Sequence, residues 1–168
     1  MVMNPLMKLG IAAACTLAAA PASAQAPDAL AVAGGRLVVT LHAEGAQVYE
    51  CASDNAGKLA WQFREPIATL LADGKTVGRH YAGPTWELGD GSAVTGKVAA
   101  RASGASPSDI PLLRLDMTAQ RGSGQLSGVI AVQRLNTKGG TAEGPCPAAG
   151  VLLSVPYSAD YAFFGKGG

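Results

Sequence analysis

The chain predicts an all-β protein, an antiparallel sandwich or barrel of about eight or nine short strands with at most short helical turns. Three observations carry this expectation. Residues 58–64 alternate, with Leu59, Trp61 and Phe63 on one side and Ala60, Gln62 and Arg64 on the other, which is the period of a strand with one buried face. Glycine punctuates the chain, with 22 in 168 residues, so apolar runs are short and end in turns. No stretch keeps a long amphipathic helical period, and no repeat of fixed length is present. The alternation places Leu59, Trp61 and Phe63 toward a core, while sandwich and barrel both satisfy the pattern.

The first residues read as a targeting signal. Lys8 precedes twelve uncharged residues, 9–20, and Pro21-Ala22-Ser23-Ala24 supplies the Ala-x-Ala ending that a signal peptidase reads. An opening at Met7 would give Met-Lys-Leu-Gly, a more usual start for such a segment. The apolar run is shorter than the ~20 residues that cross a bilayer, so no transmembrane anchor is expected after cleavage. Cys15 lies inside this run, and Ala12-Ala13-Ala14 lacks the large aliphatic residue that precedes a lipid-modified cysteine; it reads as part of the discarded signal. The expected destination is the periplasm or the exterior.

Removing 24 of the 168 residues leaves 144, enough for one domain with a real core. Residues 25–35, rich in Ala, Pro and Gly, read as a flexible lead-in to a single domain over 36–168. The whole chain has 13 Lys and Arg against 12 Asp and Glu, and Lys8 leaves with the signal, so the mature charge is about zero. A balanced, scattered charge sets up no field for nucleic acid, which is excluded as a partner. Cys51 and Cys146 remain, and an oxidising compartment favours joining them, a metal thiolate pair or free thiols being the alternatives. Neither cysteine has His or further Cys at ligand spacing.

Taken in order, residues 36–42 are β-branched and bounded by Gly34-Gly35 and Gly45, which predicts a first strand, and 46–51 predicts a second. After 58–64, Pro66 with Ile67, Leu70 and Leu71 fits a single helical turn with one apolar face. Asp73-Gly74 turns the chain. Residues 76–81 and 85–88 read as strands about Gly83-Pro84, and Asp90-Gly91 joins the latter to a strand over 94–100 as a hairpin. Residues 103–108 are a loop, 110–117 and 129–136 are strands, and 139–150 is an irregular loop around Cys146. Residues 157–163 alternate, with Tyr157, Tyr161 and Phe163 on one face.

The stretch His80-Tyr81-Ala82-Gly83-Pro84-Thr85-Trp86-Glu87, closed by Leu88-Gly89-Asp90-Gly91-Ser92, gathers a His, a Tyr, a Trp and a Glu in a chain with few of each. It resembles the signature of the DUF3455 family, exported proteins of bacteria and fungi with no settled function. Gln47-Val48-Tyr49-Glu50-Cys51, Gln133-Arg134-Leu135-Asn136-Thr137-Lys138-Gly139-Gly140 and Val155-Pro156-Tyr157-Ser158-Ala159-Asp160-Tyr161 match the same pattern. The resemblance runs from about residue 46 to 164 and implies export. It implies no catalytic residue.

Tyr81 and Trp86 are rings that can stack on a sugar or another flat ligand while their polar atoms hydrogen-bond. With His80, Glu87 and Asp160 they form the candidate ligand-binding set for a small molecule or a cell-envelope glycan, and the Gly83-Pro84 kink is expected to bring His80 and Glu87 to one rim. Both rings serve equally well as core aromatics of adjoining strands. The enzymatic alternative is hydrolytic or metal-dependent, using His80 and Glu87. A metal site would need His42 and His80, the two histidines of the chain, to meet with Glu87, Asp90 or Asp160. Their spacing fits no ligand motif, so no metal is expected. A Glu87–Asp160 carboxylate pair could be assembled for glycoside cleavage, as in any fold with twelve acidic residues. No serine has a Gly-x-Ser-x-Gly context, and Gly122-Ser123-Gly124 lies between strands instead of opening a phosphate-binding helix. No cofactor is expected.

The protein recovered from the exterior of a producing cell should begin at Gln25. N-terminal sequencing checks this, and a mature chain that retains Lys8 would contradict it.

Overall fold

The computed structural model describes residues 26–168. The predicted signal segment, residues 1–24 with Cys15 and the cleavage point, lies outside the described residues. Eight antiparallel strands form one sheet: β1 Gly35–Ser53, β2 Leu59–Ala72, β3 Lys75–Tyr81, β4 Thr85–Leu88, β5 Ala93–Ala102, β6 Leu112–Arg121, β7 Val129–Gly139 and β8 Leu152–Lys166. Each pairs with the next, and β8 pairs back onto β1, so the sheet is a closed barrel of up-and-down topology. The all-β expectation holds, and of the two architectures the barrel is the one formed. The helical content among the described residues is one 3-10 turn at Asp28–Leu30.

The strands are not all short, and two local expectations change. Residues 36–42 and 46–51 belong to a single strand, because Gly45 sits within β1 and makes no turn. A Cβ at Gly45 would strike the Ile67 carbonyl and the Ala68 Cα, so the missing side chain lets β1 and β2 approach closely. The helical turn expected over 66–71 is the second half of β2. Opposite β1, Glu65 pairs with Val48 while Phe63 pairs with Tyr49, which leaves Arg64 as an extra residue in a bulge. The bulge moves the inward set from Trp61 and Phe63 to Pro66, Ala68 and Leu70. Ile67 is thereby turned outward, 57% exposed. A phase shift in a strand thus produced the spacing that reads as a helix.

The inward face of 58–64 does not reach the core. Phe63 is 55% exposed and Trp61 is half-buried, since β3 pairs with β2 only over residues 68–72 and the β1–β2 hairpin extends beyond the ring. The core lies inside the barrel, where Leu41 and Leu70 meet Trp86, Val94, Leu115, Val132 and Phe163. Within residues 25–35, expected to be a flexible lead-in, Leu30 and Ala31 are attached to the outer wall. Leu30 is fully buried, the Gln133 amide donates to its carbonyl at 2.6 Å, and Arg114 donates to the Ala31 carbonyl at 2.9 Å.

Cys51, near the end of β1, is bonded to Cys146 with a Cα–Cα distance of 5.6 Å. The irregular segment after β7 is also held by main-chain bonds on either side of Cys51, from its amide to Val151 and from Gly150 to its carbonyl. The bridge spans 95 positions of sequence. Cys146→Ser should lower the unfolding free energy by about 2–5 kcal/mol through the longer unfolded loop it releases. An unchanged denaturation midpoint under non-reducing conditions would contradict this.

Candidate ligand cavity of the barrel

β3 and β4 form a tight hairpin whose register decides which side chains meet. His80 lies directly opposite Trp86, Arg79 opposite Glu87, and Tyr81 opposite Thr85. Because successive residues of a strand point to opposite faces, the first pair enters the barrel and the other two face outward. Gly83, at φ 114°, closes the turn in a conformation that side-chain-bearing residues rarely adopt.

Inside, the His80 and Trp86 rings stack with centroids 4.5 Å apart and planes 8° from parallel. Tyr161 approaches both, at 5.0 Å from His80 and 5.3 Å from Trp86. His80 is 3% exposed. Its Nδ1 lies 2.9 Å from the Thr85 carbonyl. A carbonyl only accepts, so Nδ1 carries the proton and Nε2 of the neutral ring is left as an acceptor. Burial pushes the imidazole down to about 4; the Thr85 bond opposes this shift and the Arg134 charge adds to it.

These rings wall a cavity of about 460 Å³ that opens at the end of the barrel carrying the β3–β4 turn. Val98, Leu113 and Leu115 form an apolar side, and Gln47 and Tyr49 come from β1. Arg64, Arg101 and Arg134 also line it, as does the exposed Phe63. Among the lining residues, Trp86 Nε1 and Gln47 Nε2 are fully covered and meet no partner at hydrogen-bond geometry, Gln47 lying close to Tyr157.

The structure divides the five predicted site residues among three places. His80 and Trp86 line the cavity. Tyr81 and Glu87 are on the outer wall, where the Glu87 carboxylate accepts from the Tyr81 hydroxyl at 2.7 Å, Arg121 at 3.0 Å and Arg79 at 3.1 Å. Those donors, Tyr81 foremost, hold its carboxyl at about 2. Asp160 is elsewhere on the outside, 2.7 Å from both His42 Nδ1 and Asn136 Nδ2. The single rim expected from the kink is therefore not formed, because His80 and Glu87 differ by an odd number of positions across a regular hairpin. His42 and His80 likewise face opposite sides of the wall. Among the described residues no three His, Cys, Asp or Glu side chains are grouped to hold a metal. Asp90 organises its turn, accepting from the Ser92 amide and hydroxyl and from the Gln125 amide.

Sequence reasoning missed the arginines. The available signal was Arg134, which shares the alternation phase of the buried Val132 and so carries a charge to an inward position.

A closed antiparallel sheet of eight strands with a cavity open at one end places the molecule in the class of small up-and-down β-barrels. The chain matches the family model "Protein of unknown function (DUF3455)" over residues 32–165, and it belongs to that family. The match takes in every strand except the last residue of β8. No curated protein and no solved structure matches the chain.

The buried imidazole makes stability depend on pH. With a folded value of about 4 against an ordinary 6.5, the unfolded chain binds a proton in this range that the folded barrel excludes. The contribution is therefore complete above pH 6.5 and lost as pH falls toward 4, on the order of 3 kcal/mol. Denaturation of wild type and His80→Gln at pH 7 and pH 4.5 should show a smaller pH loss for the variant. Equal losses would contradict the burial of a neutral His80.

Proposed function

We propose that this protein is an exported binding barrel that holds a small organic molecule in the cavity beside His80 and Trp86. The observation that carries the reading is the cavity itself: a cavity meant only as packing would be filled by side chains in a barrel of this strand number. The volume is within the ~300–1,000 Å³ typical of small-molecule sites. A mainly apolar surface with a few fixed polar groups gives both affinity and orientation. Phe63, packed edge-on against Tyr49 and otherwise exposed, adds apolar surface beside the cavity.

The Cys51–Cys146 bridge and the signal-like residues 1–24 support an oxidising destination, the periplasm or the exterior. The glycan variant of the reading relied on Tyr81 and Trp86 as one stacking platform, and it is disfavoured by their positions on opposite faces of the wall. The enzymatic variant relied on His80 and Glu87 acting together, and the same register disfavours it.

An environment-sensitive naphthalene dye should bind the protein with a blue-shifted emission. Val98→Trp, which places an indole across the apolar side of the cavity, should weaken that binding about tenfold or more while the thermal transition stays cooperative. A folded Val98→Trp protein that binds the dye as wild type does would overturn the reading.

A further inference from the structure

The lining of the cavity is charged in one sense only. It includes three arginines and no Asp or Glu. Arg64 is matched outside the cavity by Glu50 at 3.5 Å and Glu65 at 3.4 Å. The other two are not matched. Arg134 makes no ion pair, and Arg101 makes neither an ion pair nor a side-chain hydrogen bond among the described residues.

Their positions are set by register. Arg101 of β5 pairs with Leu113 of β6, which pairs with Arg134 of β7, which pairs with Tyr161 of β8. Bulges create this row. The irregularity between Val98 and Ala100 changes the phase of β5, so that Arg101 falls on the face that Val94 occupies further back. Two guanidinium groups thus flank one leucine on the inner wall, their strands separated by a single strand, about 9–10 Å apart at the backbone. Arg134 donates through Nε at 3.0 Å and Nη2 at 2.8 Å to the carbonyl of Pro111, just before β6, which draws its head toward the strand that separates it from Arg101. Arg101 is exposed at the mouth and Arg134 is half-buried, and with no acid in the lining an anion between them would be their nearest counter-charge.

We infer that the ligand of this cavity is a ring-bearing organic monocarboxylate, its carboxylate held between Arg101 and Arg134 and its body reaching in toward Trp86. This rests on the binding-barrel reading and adds the chemical class of the guest. A carboxylate suits the donors that remain. Arg134 has spent its Nε–Nη2 edge on Pro111 and lies beside the Tyr161 hydroxyl, so it contributes mainly its charge, while Arg101 retains the whole planar fork that matches a carboxylate. A phosphate dianion would call for more donors than these. Leu113, Leu115 and Val98 accept an apolar body, and the neighbouring Trp86 and Tyr161 rings favour a ring.

Calorimetric titration with 6-methoxy-2-naphthoate and with its neutral counterpart, 6-methoxy-2-naphthalenemethanol, tests this on the intact protein. The acid should bind about tenfold or more tightly than the alcohol at low salt, and its advantage should shrink as salt is raised. Arg101→Gln, which removes no ion pair or side-chain hydrogen bond of the described residues, should reduce the advantage to about twofold or less, while Lys97→Gln on the outer wall should leave it intact. Equal affinity for acid and alcohol, or an advantage that survives Arg101→Gln, overturns the carboxylate assignment and leaves the binding barrel standing. Dye binding without heat from either naphthalene compound also overturns the assignment alone. Failure of the dye and of both compounds overturns assignment and reading together.

Discussion

The ladder between β1 and β8 is the interaction on which the rest depends. Residues 35–50 of β1 pair with residues 152–166 of β8, and that seam converts an eight-stranded meander into a ring. Closure removes both sheet edges, which would otherwise expose unpaired main-chain groups to other chains. It also gives every strand an inside and an outside. β1 contributes at both levels, because the strand that closes the ring also carries Gln47 and Tyr49 into the cavity and Cys51 to the disulfide.

The interior is not optimised for packing alone. A buried donor without a partner, such as Trp86 Nε1, costs about 1–3 kcal/mol, and a filled apolar core would avoid that cost. A neutral imidazole stacked on the indole and two unmatched arginines near the mouth are further choices that a purely structural core would not need. The outer wall differs in kind. The Glu87 carboxylate there receives three donors, and Arg79 lies 5.0 Å above the Tyr81 ring, an arrangement in which every charge has its partner. On the β3–β4 hairpin the outward carboxylate is fully partnered, whereas the inward indole nitrogen is not.

The conspicuous motif over residues 80–87 shows how far composition can be taken. Its residues are the right ones to notice, since His80 and Trp86 do line the cavity. The error lay in treating nearness in sequence as nearness on one surface. In a hairpin with His80 opposite Trp86, Glu87 must oppose Arg79, and the two acid–base candidates are separated by the wall of the barrel. Asp160 is on the outer face for the same reason, between Ala159 and Tyr161, which point in.

The sequence by itself determined the class of structure and much of its punctuation. Alternation in residues 157–163, the Asp90-Gly91 turn and the two cysteines outside the signal were local facts, and each has its counterpart in β8, the β4–β5 hairpin and the disulfide. Only the tertiary structure decided that the sheet closes, that residues 66–71 continue a strand, and that Arg101 and Arg134 share an inner row. All three depend on bulges and on pairing between distant strands. A single extra residue, such as Arg64 or Ala99, exchanges the two faces of everything beyond it, and a pattern of period two cannot register that exchange until its partner strand is known.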